Sequence, residues 1–187
     1  MNEERSNPWR TLSSRVAYEN QWIRLRHHDV IRPDGRPGIY GVVHFKNKAV
    51  GVLPLDAEGN TYLVGPFRFT IGQYSWELPE GGCPEEEDPL AAAKRELREE
   101  TGLEARRWEL LGKAHLSNSV SDEEAILYLA TDLSQGDPSP DGTEILQLRK
   151  VPFGEALRMV LAGEITDAMT IMAILLWERS GKGRKDG

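Results

Sequence analysis

Apolar and polar residues alternate with a period of two over the first part of the chain and recur every three or four residues in later segments, which separates strands from helices. Two alternating stretches, "WIRLRHHDVIR" and "GIYGVVHFKN", flank the turn-forming "PDGRPG". They predict a β-hairpin with a somewhat long loop, inside a small β-rich unit from about Val16 to Asn47. From Lys48 onward, "AVGVLPLD", "NTYLVGPFRF" and "YSWELPEG" read as further strands, the first two joined at a tight turn by "AEGN". "RRWELLGKAHL" and "EAILYLATDL" are two more, separated by the polar loop "SNSVSDE", and "SQGDPSPDG" is a turn-rich connector before "EILQLRKV". Two helices close the pattern: "PFGEALRMVLAG", with Pro152 near its start and Gly163 at its end, and "DAMTIMAILLWERSG", capped by Asp167 and stopped at Gly181. The tail "GKGRKDG" carries no pattern and reads as disordered.

Length and composition narrow the classes. A chain of 187 residues, 39% hydrophobic and 28% charged, can bury a core and fits one domain with a small appendage. A formal charge of −7 and a pI near 5.2 argue against general affinity for nucleic acid or anionic membrane and point toward cations as partners. "MNEERSNPWRTLSSRV" lacks an apolar signal core, and the longest apolar run, "AMTIMAILLW", is too short to span a bilayer, so the expected location is cytoplasmic. One cysteine, Cys83, allows neither an internal disulfide nor a cysteine-based zinc cluster. His27, His28, His44 and His115 show no zinc-like spacing.

The chemistry concentrates in "GGCPEEEDPLAAAKRELREETGLEA", where eight of the residues from Gly81 to Ala105 are acidic. Asp88 before Pro89 is a helix start and Gly102 a helix stop, so a helix is expected over about Pro89–Thr101. Leu90, Ala93 and Leu97 form its apolar stripe. Glu96, Glu99 and Glu100 project together from the other side, and the last two sit where the helix dipole disfavours negative charge. A hard divalent cation with oxygen ligands would turn that repulsion into coordination.

The same stretch resembles the signature of the Nudix hydrolases: a glycine, five residues, a glutamate, seven residues, then Arg-Glu-apolar-any-Glu-Glu-any-Gly-apolar. Gly81, Glu87, Arg95, Glu96, Leu97, Glu99, Glu100, Gly102 and Leu103 occupy every defined position. The resemblance implies an α/β/α sandwich with a mixed sheet, here preceded by a small N-terminal antiparallel β unit. It implies cleavage of a nucleoside diphosphate linked to another moiety, by water attack at phosphorus with magnesium or manganese. Carried over by position, Glu96 and Glu100 are the principal metal ligands, with Glu99 a further ligand or a holder of water at the metal. The backbone carbonyl of Glu80 is another ligand, Arg95 orients the carboxylates, and Glu87 fixes the loop.

Beyond the motif, "FRFTIGQYSWELPEGG" resembles the segment before the motif in hydrolases of ADP-ribose and other nucleoside diphosphate sugars. There an arginine on the preceding strand meets the substrate, and Arg68 is the candidate, the alternative being an exposed cation at a strand end. Glu77 is either a polar contact to the site or a structural hydrogen-bond acceptor. In this subgroup a glutamate on a loop well after the motif activates the water; "LSNSVSDEEA" offers Glu123 first and Glu124 as the alternative. Many ADP-ribose hydrolases carry a proline at the place held here by Ser119, so the substrate expected is the nucleotide-sugar class, with ADP-ribose among its members. Other readings are hydrolysis of a dinucleoside polyphosphate, or a sensor that binds nucleotide sugars without turnover.

The expected division is an N-terminal β unit over 1–47, a catalytic domain over 48–181 and a tail over 182–187. Similar enzymes use such a unit to form a homodimer and to present aromatics to the nucleobase, a role expected of Tyr18 and Trp22 with packing as the alternative. A hairpin with one apolar face needs a partner surface. The acidic catalytic loop is a poor candidate on charge, which leaves a second subunit.

Overall fold

In the computed structural model residues 6–136 and 147–181 are described, and the chain divides into two compact units. The tail at 182–187 and most of the "SQGDPSPDG" connector lie outside the described residues. The first unit comprises Met1–Asn47 together with His115–Glu123. Its sheet has three antiparallel strands in the order β1 (Arg10–Glu19), β2 (Ile23–Ile31) and β3 (Pro37–Phe45). The hairpin expected around "PDGRPG" is the β2–β3 pair, with His28 opposite Tyr40 and Gly35 turning the chain at φ 81°.

Strand β1 begins at Arg10, ahead of Val16, where the strand pattern in the sequence starts. Leu12, Val16 and Tyr18 are all exposed, so β1 has no inward apolar face to betray it; backbone pairing to β2 makes it a strand. A correction concerns the loop at 116–123. Judged by charge it was a poor partner for the N-terminal strands, yet it belongs to their unit, held there by backbone bonds and polar contacts rather than by apolar burial.

In the second unit the main sheet has the order β8-β4-β10-β9, formed by β8 (Glu80–Pro84), β4 (Asn47–Pro54), β10 (Glu124–Gln135) and β9 (Leu103–His115). Strands β4 and β10 run parallel, with Val50 opposite Ile126 and Gly51 opposite Leu127. Strands β9 and β10, joined by a short loop, run antiparallel, so the sheet is mixed. Its two central strands, β4 and β10, are largely apolar because both of their faces are covered. On one face Val50, Val52, Ile126 and Ala130 pack with Ala92, Ala93 and Leu97 of helix α1 (Pro89–Thr101). On the other, Gly51 and Leu127 meet Met169 of helix α3 (Ala168–Ser180). The result is an α/β/α sandwich.

Two more strand expectations are corrected, both by proline. The segment 60–69 is broken at Pro66, which has no N–H to give a ladder: β5 (Asn60–Gly65) pairs with β11 (Gln147–Pro152), and the short β6 (Phe67–Arg68) pairs with β7 (Gln73–Tyr74). "YSWELPEG" is likewise not one strand: β7 ends at Tyr74, Glu77 bridges Val64, and β8 begins after Pro79. The "AEGN" turn exists, closed by the Asp56 N–H on the Asn60 carbonyl at 3.0 Å, but β4 and β5 leave it for different sheets. Helix α2 (Phe153–Leu161) follows β11 directly.

Gly51 is a packing glycine. A Cβ there would lie 2.9 Å from Met169 Cε and 3.1 Å from Leu127 Cδ2. Gly51→Val should cost about 1–3 kcal/mol of stability, read as a lower urea midpoint with an unchanged m value; an unmoved midpoint would show that the α3 face has room.

Candidate active site

Helix α1 begins and ends where local chemistry dictates. The Asp88 carboxylate accepts the Ala91 N–H at 3.0 Å, Pro89 takes the first helical position, and Gly102 stops the helix at φ 69°. With Ala92, Ala93, Leu97 and Thr101 buried, Glu96, Glu99 and Glu100 are left along the half-buried flank.

Arg95 organises that flank. Its Nε and Nη2 donate to the two oxygens of Glu87 at 3.2 and 3.0 Å, Nη1 donates to Glu96 at 2.7 Å and Glu99 at 3.1 Å, and Nη2 also reaches the Gly82 carbonyl at 2.8 Å. These contacts, Glu87 foremost, raise the guanidinium pKa still further. Glu96 goes the other way from an ordinary paired acid: burial raises its pKa, and Arg95 only partly offsets that. Its carboxylate lies over Gly81 in the space a Cβ would fill, so a side chain there would push the Glu96 carboxylate aside. Space, and not backbone freedom, is what this glycine supplies.

The Glu80 N–H donates to Glu100 Oε2 at 3.0 Å, which ties the peptide before Gly81 to the second of the expected ligands. The side chain of Glu80 enters a different group. Arg68 Nη2 donates to Glu80 Oε1 at 2.8 Å, and Arg68 also grips the buried Glu77 through Nε, 2.9 Å from each oxygen, and through a short Nη2 contact. Arg68 is thus a braced guanidinium, while the flanking Phe67 and Phe69 are exposed. Glu77, Glu80 and Asp167 each offer an oxygen within 4.8 Å of the others. Burial, then Asp167 and Glu77, push the Glu80 pKa well above the usual carboxylate range. Its Oε2 is buried and has no hydrogen-bond partner among the described residues.

Oxygen donors on both sides of Gly81, more carboxylates than guanidinia to neutralise them and an orphaned buried carboxylate oxygen together fit a hard divalent cation. Sequence reasoning missed the Glu80 side chain and Asp167. The latter was expected only as a helix cap, which it is, accepting the Thr170 N–H at 2.7 Å; no local signal brings it beside Glu77.

Of the loop acids, Glu124 belongs to the second unit and is engaged by Lys48 at 3.3 Å and Lys113 at 3.6 Å, which outweigh burial and lower its pKa. Glu123 belongs to the first unit, is half-buried, and has its pKa raised by burial. Tyr18 and Trp22, also in the first unit, expose 54% and 60% of their surface. Trp76 packs on Gly65 and lies under the Arg149 guanidinium.

Comparison with known proteins bears on the whole chain. Residues 45–170 match the NUDIX domain and residues 9–43 the nucleoside diphosphate sugar hydrolase N-terminal domain. An ADP-ribose pyrophosphatase of Mycobacterium tuberculosis is 37% identical over 169 residues, which is 88% of this chain and 81% of that protein. An ADP-ribose pyrophosphatase of Bacillus subtilis is 30% identical, and a methanol dehydrogenase activator of Bacillus methanolicus 29%, each over 88% of this chain and 90% of the relative. Among solved structures, an ADP compounds hydrolase superposes with a TM-score of 0.84 at 19% identity, covering 96% of this chain and 97% of that one, a likeness of fold. With the NUDIX match running through the sheet, helix α1 and the carboxylates around Arg95, the chain belongs to the Nudix hydrolase family and is a pyrophosphohydrolase.

Proposed function

We propose that this enzyme hydrolyses the pyrophosphate bond of nucleoside diphosphate sugars, ADP-ribose among them, to a nucleoside monophosphate and a sugar phosphate. The observation that carries the reading is the pairing, in one chain, of a complete Nudix motif with a nucleoside diphosphate sugar hydrolase N-terminal domain. Similarity to two ADP-ribose pyrophosphatases over most of their lengths supports it.

In this reading Glu96, Glu100, Glu99 and the Glu80 carbonyl would hold magnesium, with manganese able to replace it. When bound, the metal supplies positive charge that neutralises the pyrophosphate and steadies the departing phosphate. Arg95 keeps three carboxylates in register, taking both oxygens of Glu87 but only one each of Glu96 and Glu99, whose second oxygens are left to the cation. Arg68, braced by Glu77 and Glu80, offers a fixed guanidinium to a substrate phosphate, which costs less ordering on binding than a loose side chain. Glu123 takes a proton from the attacking water. The water oxygen bonds to one phosphorus, the bond from that phosphorus to the bridging oxygen breaks, and the bridging oxygen leaves with the other phosphate. Burial of Glu123 favours this role, since a raised pKa makes a better proton acceptor, whereas Glu124 is committed to two lysines. Trp22 and Tyr18 supply a stacking surface to the nucleobase. The location proposed is cytoplasmic; no described helix is long and apolar enough to cross a membrane.

The metal assignment is tested at the glycine. Gly81→Ala must displace Glu96, so Mn2+ affinity measured by titration calorimetry should fall by roughly 10–100-fold while the circular dichroism spectrum stays native. Retained affinity would remove Glu96 from the ligand set.

Activity is tested with a panel of ADP-ribose, other nucleoside diphosphate sugars and a dinucleoside polyphosphate, products being separated by chromatography. Nucleoside diphosphate sugars should be preferred; preference for the polyphosphate, or tight binding without turnover, would replace the reading. On the best substrate, Glu123→Gln should lower kcat by about 100- to 10,000-fold with little change in KM, and Glu124→Gln far less. Because the acceptor must be deprotonated, the acid limb of wild-type kcat/KM should lie above the ordinary glutamate range. The reverse order of the two variants would move the role to Glu124.

The first unit exposes Leu12, Val16, Tyr18, Trp22 and Ile39, apolar area that a second copy of the chain would cover. Light scattering at micromolar concentration should give a dimer, and Trp22→Ala should raise KM for purine nucleotides more than it lowers kcat. A monomer defeats the dimer, and an unchanged KM confines Trp22 to packing.

A further inference from the structure

The loop between β9 and β10 is built onto the outer strand of the N-terminal sheet. At the level of backbone, the Val43 N–H donates to the Val120 carbonyl at 2.8 Å and the Asp122 N–H donates to the Val43 carbonyl at 3.3 Å, so Ser121 bridges Val43 in parallel register. Three side-chain contacts reinforce the seam. The Tyr40 hydroxyl donates to the Ser119 carbonyl at 2.7 Å, His44 Nδ1 donates to Asp122 Oδ2 at 2.6 Å, and the Phe45 N–H donates to Asp122 Oδ1 at 2.9 Å. Tyr40 is itself set by Trp9, whose ring meets it edge-on at 5.3 Å.

Inside the loop, the Ser117 carbonyl accepts the N–H groups of Val120 and Ser121, and the Leu116 N–H donates to the Glu123 carbonyl at 3.1 Å, closing the base. Asp122 therefore spends both carboxylate oxygens and its N–H on β3. Burial works against its charge, but the Phe45 N–H and His44 more than offset it and hold the carboxyl below its usual range. The next residue is Glu123. A side chain whose neighbour is fixed at three points has its Cα fixed as well, which leaves only its own rotamers to be selected.

We propose that Tyr40, His44 and Asp122 are positioning residues for the reaction, mooring the loop 116–123 to β3 so that the Glu123 carboxylate is presented in a single place. The role rests on the reading of Glu123 as proton acceptor. It gives the N-terminal unit a task within its own chain, separate from dimer formation. General-base efficiency is steep in geometry, a displacement of about 1 Å costing up to roughly 100-fold, while substrate contacts and metal ligands elsewhere would not feel the change.

The test uses the full-length enzyme with its best nucleotide-sugar substrate. Asp122→Ala should lower kcat about 10- to 100-fold, leave KM within about twofold and Mn2+ affinity unchanged, and speed amide exchange at 117–123. His44→Phe should act in the same direction, and His44→Asn, whose side-chain amide puts a donor near the Nδ1 position, should restore most of the rate. Tyr40→Phe removes one hydroxyl without disturbing the ring, and should give a smaller loss with an unchanged melting temperature. The decisive comparison is the double variant Asp122→Ala/Glu123→Gln. If Asp122 acts through Glu123, the double variant is no slower than Glu123→Gln alone; multiplied losses would overturn the proposal. Full kcat in Asp122→Ala and Tyr40→Phe would also overturn it, as would His44→Asn matching His44→Phe. Failure of the underlying reading looks different: Glu123→Gln itself would then keep its activity.

Discussion

Like charges about 4 Å apart repel by roughly 4 kcal/mol at an effective dielectric of 20, and a helix flank carrying Glu96, Glu99 and Glu100 beside Glu87 has to absorb several such terms. Arg95 absorbs them. One planar guanidinium meets three of the four carboxylates, and a backbone carbonyl takes a further donor, a geometry that a lysine ammonium cannot reproduce. Arg68 repeats the arrangement with Glu77 and Glu80. In both groups the guanidinium offsets part of the repulsion while acids still outnumber it, which leaves an excess of negative charge suited to a cation.

Volume is the second constraint. Gly51 admits α3 to one face of the sheet, Gly65 admits the Trp76 ring, and Gly81 admits the Glu96 carboxylate. None of these three has a left-handed backbone. Each is a place where a neighbouring side chain occupies the position of the missing Cβ. The sheet's alternation then does the rest: Val50 and Val52 face α1, Gly51 faces α3, and the loop that leads into the acidic helix is carried at the end of β8.

The parts legible in the sequence are those governed by near neighbours. Asp88, Pro89 and Gly102 state the limits of α1, Asp167 and Gly181 those of α3, and the spacing of Glu96, Glu99 and Glu100 states their shared flank. What was illegible depends on elements far apart along the chain. Strand β1 has no buried face, so its existence is a matter of pairing alone. Pro66 and Pro79 did carry a readable warning against continuous strands. The grouping of Asp167 with Glu77 and Glu80 leaves no trace in spacing. Nor does the seam between β3 and the loop, whose backbone bonds place almost no demand on residue type and whose side-chain partners, Tyr40 with Ser119 and His44 with Asp122, lie far apart along the chain.

The first unit is discontinuous, and that has a consequence for the order in which the chain becomes structured. As the protein is synthesised from its N-terminus, β1, β2 and β3 can pair at once through contacts close in sequence, but the Tyr40 hydroxyl must wait for Ser119, 79 residues later. Until then β3 is an open strand edge on a nascent chain, with Ile39 and Phe45 exposed along it. The strands and the helix that intervene have to emerge before the edge is closed. A ribosome-bound intermediate ending short of residue 119 therefore carries a sheet able to recruit a strand from another chain, and the same delay offers a window in which two nascent copies can meet.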